Sequence, residues 1–244
     1  MRPCSRITAS LLVFALSACG GGGKDGGDPG GGGGPALCPA GPEKTGSATS
    51  YDASGVGACG WDPAPALAVA VSPAVFAASA ACGTCLEITG PLGKATAVVV
   101  DSCPSCADAA LDLGAATFAR VADPAAGRVD VTWRTVPCPV DGPIRYRLSP
   151  ASNAWWFGIV PMDHRHPIAA LEARGAGDAT FRTLERSGTN LFVGAGVQIA
   201  GPLAIRATDV HGHVLVDENV PFAPPLDPAA QLVSGAANFP ETCP

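Results

Sequence analysis

The sequence predicts an all-β protein in two folded parts. Three observations carry that expectation: a turn-rich composition, short apolar runs that alternate instead of recurring at helical spacing, and a proline-rich break near residue 140. Of 244 residues, 31 are Gly and 24 Pro, with 47% hydrophobic and only 15% charged. Gly and Pro weaken helix interiors, while Val, Thr and Ile runs cut by Gly/Pro clusters favour strands. In Val129–Thr135, the apolar Val129, Val131 and Trp133 alternate with Asp130, Thr132 and Arg134, the pattern of a half-buried strand. The stretch Pro137–Pro143 holds three Pro and one Gly and is read as the boundary between a first domain, 37–141, and a second, 142–244.

The first residues are an address and not part of the fold. Arg2 and Arg6 precede the apolar run Ile7–Leu16, which is too short to span a bilayer, so residues 1–18 read as a signal peptide. Leu16-Ser17-Ala18-Cys19 resembles the lipobox of bacterial lipoproteins, which implies acylation of Cys19. The alternative is an ordinary cleaved signal with an incidental Cys. Residues 20–34 contain eleven Gly and no apolar side chain, so 19–36 is expected to be a lipidated tether with a reach of about 20 Å. The expected location is the cell surface or periplasm, membrane-anchored, or otherwise secreted. Fifteen Lys+Arg stand against 21 Asp+Glu, a formal charge of −6, and loss of Arg2 and Arg6 makes the remainder more acidic still. That balance disfavours nucleic acid and acidic polymers and favours a neutral glycan as partner.

Strands are expected at Cys85–Thr89, Ala95–Val100 and Val129–Thr135, with Asp112-Leu113-Gly114 opening a short helix over Ala115–Val121. Beyond the boundary, seven candidate strands (Ile144–Leu148, Ala154–Val160, Ile168–Arg174, Phe181–Glu185, Leu191–Val193, Leu203–Thr208 and Val214–Glu218) in about 100 residues point to a β-sandwich. Apart from Cys4 and Cys19, the cysteines are Cys38, Cys59, Cys82, Cys85, Cys103, Cys106, Cys138 and Cys243. An even number in an exported chain reads as four disulfides. The spacing Cys82-Gly-Thr-Cys85 and Cys103-Pro-Ser-Cys106 would signal zinc in a cytosolic protein, and export favours disulfides over it. Seven of the eight precede residue 140, so the first domain is stapled and the second depends on its core.

Three stretches of the first domain resemble the expansins and the related barrel of glycoside hydrolase family 45. They are Gly46-Ser-Ala-Thr-Ser-Tyr51 with Gly57-Ala-Cys-Gly60, then Cys82-Gly-Thr-Cys85-Leu-Glu-Ile, then Asp101-Ser-Cys-Pro104 with Ala110-Leu-Asp-Leu113; Val131–Cys138 closes the domain similarly. The second domain resembles the expansin carbohydrate-binding module through Ala154-Trp-Trp-Phe157, His164-Arg-His-Pro167 and Thr208-Asp-Val-His-Gly212. The resemblance implies a double-psi β-barrel of six strands followed by an immunoglobulin-like β-sandwich. It also implies one continuous glycan-binding surface, and loosening of cell-wall polysaccharide, cellulose-like β-glucan or peptidoglycan, by a monomer without a cofactor. It implies pairs Cys59–Cys82 and Cys85–Cys138, leaving Cys103–Cys106 as a local loop and Cys38–Cys243 as a clasp between the chain ends.

By the same resemblance Asp112 is the essential acid, Asp101 a second site acid and Thr49 the partner of Asp112. From the residues alone, Asp112 sits between Leu111 and Leu113 at the edge of an apolar run, which suits an acid catalyst and equally suits a helix N-cap. Many bacterial relatives carry a tyrosine where this chain has Cys103, which removes one sugar-stacking ring. Inverting hydrolysis needs a second carboxylate as base. By the resemblance to family 45 enzymes, which carry the base in the first strand just after a Thr-x-Tyr region, Ala53 falls at that position with Asp52 one residue away, and a shift of one turns a strand side chain to the other face unless a bulge restores it. The expectation is therefore a non-hydrolytic protein, with an endoglucanase or a lytic transglycosylase as the first alternative and a carbohydrate-binding adhesin as the second.

Trp155 and Trp156 are adjacent, so a regular strand exposes at least one flat ring to a sugar face. The alternative is that both belong to the core with a local twist. The resemblance places both on a binding strip whose third position holds Thr189. His164 with His166, and His211 with His213, are two i, i+2 pairs that would make a four-His metal site if each lay on one strand face. The second pair flanks Gly212 in a hairpin turn and unpaired His is commonly solvated, so no metal is expected.

Overall fold

The computed structural model describes residues 36–196, 198–226 and 232–244. The expected signal peptide, the lipid site at Cys19 and the glycine tether up to residue 35 lie outside the described residues. The described residues form one compact unit.

Six strands close a barrel: β1 (Lys44–Tyr51), β2 (Ala68–Val71), β3 (Cys85–Gly90), β4 (Gly93–Ser102), β5 (Leu111–Gly114) and β6 (Val129–Val136), in the order β1-β5-β2-β4-β3-β6. The pairs β1/β5 and β2/β4 are parallel. Alternation along β5 and β6 sends Leu111, Leu113, Val131 and Trp133 inward, where they meet Val69, Leu86, Ile88 and Val99. Trp133 keeps its polar edge satisfied inside this core, its Nε1–H donating to the Ala109 carbonyl at 2.9 Å. A helix of four residues, α1 (Pro73–Phe76), follows β2, and α2 (Ala115–Val121) caps the barrel with Phe118 and Val121. The expected helix opening at Asp112 is corrected here. Asp112 lies in β5, and the N-cap of α2 is Gly114, with no side-chain cap.

The rest is a sandwich of two sheets. One has the order β10-β9-β13-β14, from β9 (Ile168–Arg174), β10 (Arg182–Thr183), β13 (Leu203–Asp209) and β14 (Val214–Val220). The other is β11-β12-β8-β7-β15, from β7 (Arg145–Leu148), β8 (Trp156–Met162), β11 (Glu185–Arg186), β12 (Phe192–Ala195) and β15 (Leu232–Ser234). Phe181–Glu185, expected as one strand, divides at the buried Leu184, so that the chain leaves one sheet and enters the other. Between the sheets lie Tyr146, Phe157, Ile159, Leu171, Phe192, Ile205 and Phe239. The Tyr146 hydroxyl donates to Asp217 Oδ2 at 2.7 Å, so neither buried polar group is left unpaired.

Strand β8 is apolar on both faces because it has two cores to fill. Phe157 and Ile159 face the sandwich interior, while Val160 and Met162 pack into the barrel cluster that contains Trp61, Cys59 and Cys82. His164 follows into the same junction with its ring edge-on to Trp61, centroids 6.2 Å apart. Burial lowers its pKa to about 4, so the ring is neutral at pH 7. Against it lies Gly83, with φ +75, where a Cβ would stand 2.3 Å from His164 Nε2. Gly83→Ala is therefore expected to destabilise the protein by about 1–3 kcal/mol through backbone strain and this clash. Thermal unfolding should show a Tm lower by several degrees, with no loss if the junction yields freely.

Sulfur pairs join Cys59 to Cys82, Cys85 to Cys138, Cys103 to Cys106 and Cys38 to Cys243. The first three staple the barrel and the segment leaving it. The fourth ties residues 205 apart in sequence, beside a bridge between Leu37 and Thr242.

Candidate functional site

The parallel register of β1 and β5 sets Thr49 directly beside Asp112. Ala48, Leu111 and Leu113 point into the core, so alternation turns Thr49 and Asp112 together to the outer face. There the Thr49 hydroxyl donates to Asp112 Oδ1 at 2.7 Å, fixing the carboxylate and leaving its second oxygen free of protein partners among the described residues. The pair lines a recess of about 200 Å³ with Ser105, Arg128 and the Cys103–Cys106 disulfide. Arg128 is steered by a 2.8 Å hydrogen bond from its Nη1 to Ser47 Oγ on β1.

Asp101 stands near the end of β4. In the sheet Ala70 of β2 pairs with Asp112 on one side and with Asp101 on the other. The two acids are thus two strand spacings apart, about 9.5 Å between backbones. Asp101 is already committed: its Oδ1 accepts the N–H groups of Ala58 and Ser102, both at 2.8 Å. It thereby draws the β1–β2 loop over the barrel end, and Gly57, with φ +62, is needed there because a Cβ would stand 2.5 Å from the Val100 carbonyl. Tyr51, two residues after Thr49 on β1, is half-buried between these charges. Burial, then the charges of Asp101 and Asp112, push its phenol up to about 12, so it remains a hydrogen-bond donor throughout the working pH range. Tyr51 and Arg128 stand near the Thr49–Asp112 pair and were not singled out by sequence reasoning. For Tyr51 the i, i+2 spacing from Thr49 was the available signal; Arg128, in a loop, offered none.

Asp52 turns outward. It is exposed, and its Oδ1 accepts the Ser54 N–H at 3.0 Å in a local turn. Ala53, at the position counted for a general base, faces Gly114 of β5, where a Cβ would come within 3.2 Å of the Ala53 methyl.

On the sandwich, Trp155 is 58% exposed and Trp156, at the start of β8, is half-buried. Asn153 Oδ1 accepts the N–H groups of both, at 2.9 and 3.1 Å, so one side chain sets the turn that presents the two rings. Phe157 is the residue of this run that goes into the core. Thr189 is exposed in the turn between β11 and β12, its hydroxyl 3.0 Å from Ser187 Oγ. That turn reaches the barrel: Ser79 Oγ donates to the Ser187 carbonyl at 2.7 Å, and the Thr189 carbonyl lies close to Gly60 in the same β1–β2 loop that Asp101 holds.

The four-His arrangement weighed from the two i, i+2 pairs and set aside does not form among the described residues. His164 and His166 lie in a bend after β8 and not on a strand, so the i, i+2 rule fails and His164 turns into the barrel–sandwich junction. His166, His211 and His213 gather instead beside the Cys38–Cys243 pair.

No family model matches the chain. Among curated proteins, Expansin-YoaJ of Bacillus subtilis is 33% identical over 164 residues, spanning 67% of this chain and 69% of that protein. This chain belongs to the expansin family. Expansin-A26 of Oryza sativa subsp. japonica is also 33% identical, over 166 residues that span 62% of this chain and 57% of the rice expansin. The crystal structure of the Clavibacter michiganensis expansin superposes with a TM-score of 0.74 at 28% identity, covering 81% of this chain and 98% of that one. A variant of that bacterial expansin, solved in complex with cellohexaose, superposes equally well. Barrel and sandwich together are therefore the expansin architecture, a double-psi β-barrel followed by a β-sandwich.

Proposed function

We propose that this protein binds β-linked wall polysaccharide along a surface running from Trp155 and Trp156 to the Asp112 recess and loosens it without cutting the chains. The observation that carries this reading is the arrangement around Asp112. Thr49 orients a carboxylate toward an open recess, while the neighbouring acids are used elsewhere: Asp101 accepts two backbone N–H groups, and Asp52 caps its own turn. Protonation of a glycosidic oxygen without an activated water gives no net cleavage. Such a site can still compete for the hydrogen bonds that hold one glycan chain to another. The exposed Trp155 supplies an apolar face for sugar C–H groups without charge, in keeping with an acidic protein and a neutral glycan. The complex of the related bacterial expansin with a cello-oligosaccharide favours a cellulose-like ligand over peptidoglycan. We further read the protein as an exported monomer, anchored through Cys19 by a flexible tether.

Incubation with insoluble cellulose, chitin and peptidoglycan tests the ligand. The protein should sediment with cellulose, and sedimentation with peptidoglycan alone would redirect the reading to the cell's own wall. A filter-paper weakening assay then separates loosening from simple adhesion, since an adhesin binds paper and leaves its strength unchanged.

A further inference from the structure

Two buried polar atoms at the junction of barrel and sandwich, Trp61 Nε1 and His164 Nε2, have no hydrogen-bond partner among the described residues. Trp61 is 3% exposed and His164 1%, and their rings meet edge-on with centroids 6.2 Å apart. Their roles are complementary. The indole N–H can only donate. His164 Nδ1 faces the His166 carbonyl at 2.8 Å, and because a carbonyl only accepts, Nδ1 carries the proton and Nε2 presents a lone pair. A buried donor or acceptor left unpaired costs about 1–3 kcal/mol, so one of each in neighbouring rings marks a place that another molecule completes.

Both rings line one cleft of about 230 Å³, which shares no residue with the Asp112 recess. Its buried end is the Cys85–Cys138 pair, and at its outer end Pro139 is exposed and Pro65 and Val140 are half-buried. The lining selects the ligand. Leu67, Val98 and the two prolines offer apolar surface, and a cavity of about 150 Å³ is already enough for a benzene ring. Asp163 is the one charged residue of the lining and pairs with Arg145, so the cleft holds no free charge for an ion. A hexose brings about five hydroxyls to a cleft whose open partners are the two ring nitrogens and the Thr96 hydroxyl, and each hydroxyl buried without a partner costs about 1–3 kcal/mol. A single hydroxyl on a flat apolar body satisfies both nitrogens at once. A phenolic hydroxyl, with a pKa of about 10, is a stronger donor than an aliphatic one and suits a neutral imidazole better.

We propose that this cleft binds a small free phenol, whose hydroxyl accepts from the Trp61 indole N–H and donates to His164 Nε2 while its ring packs against Pro65, Leu67 and Val140. The site is separate from the surface proposed for glycan, and its occupancy does not depend on that reading.

Titration of the full chain with phenol, followed by nuclear magnetic resonance, reads both atoms. The indole N–H signal of Trp61 is assigned by its absence in Trp61→Phe, and His164 Nε2 by long-range proton–nitrogen correlation. Phenol should shift both signals to saturation at one equivalent per chain, and glucose should shift neither. Anisole keeps the ring but has no proton to donate, and should bind about tenfold more weakly. Trp61→Phe, with its fold checked by circular dichroism, should also bind phenol about tenfold more weakly. The proposal is overturned if phenol moves neither signal, which would leave the two nitrogens to bound water only. It is equally overturned if anisole binds as tightly as phenol, or if Trp61→Phe binds phenol unchanged. Should Trp61→Phe fail to fold, the wild-type shift at His164 Nε2 and the anisole comparison decide alone.

Discussion

Asp112→Asn is expected to reduce paper weakening to background while binding to cellulose persists through the sandwich. The substitution removes the charge and the proton-transfer capacity of a carboxylate that Thr49 holds at 2.7 Å, and it removes little else. An Asn in the same place still accepts the Thr49 hydroxyl through its side-chain oxygen. The local cost is that of one weakened hydrogen bond, about 1 kcal/mol, against a typical stability of about 5–15 kcal/mol. Unfolding is therefore not the expected route to inactivity, and circular dichroism with a thermal melt checks it. An Asn variant that weakens paper as the wild type does would remove Asp112 from the account.

Trp155→Ala combined with Trp156→Ala should cut binding to insoluble glucan by about thirtyfold. Large aromatic residues at the centre of a binding surface are the ones whose truncation costs about 2 kcal/mol or more, and 1.4 kcal/mol is a factor of about ten. Trp155 is 58% exposed, so its removal takes little from the core, and Trp156 is only half-buried. The neighbouring Phe157, which does hold the sandwich core, is untouched. Depletion isotherms on microcrystalline cellulose give the affinity. A double variant that unfolds would place the rings in the core, and one that binds normally would move the binding surface elsewhere.

Both predictions turn on side chains whose positions were legible to different degrees in the sequence. The barrel residues were legible because period-2 alternation around Leu111, Leu113, Val131 and Trp133 fixes which side chains face outward. Asp112 was nevertheless given to a helix start, since Asp before an alanine run is an ordinary cap. The parallel pairing with β1 that makes it a strand residue is a long-range fact, invisible in a local window. For the same reason β15 went unread: Leu232–Ser234 is three residues long and is a strand only because it pairs with β7. The division of Phe181–Glu185 between two sheets depends on where Leu184 finds its core. The positions of the histidines were not legible, because the i, i+2 rule holds only on a strand and His164 and His166 lie in a bend. The left-handed backbone at Asp163, φ 55, redirects the chain there, so that His164 enters the barrel junction while His166 joins His211 and His213.

If the Asp112 recess loosens polysaccharide without hydrolysing it, reducing ends counted while paper loses strength under the wild-type protein show it most directly. The expected result is weakening with reducing ends at the level of the buffer control, because the acid at Asp112 has no placed base to activate water. Soluble sugars released in step with weakening, and abolished by Asp52→Asn, would contradict it. In that case the turn that holds Asp52 against Ser54 opens on substrate binding and the protein is a glycosidase.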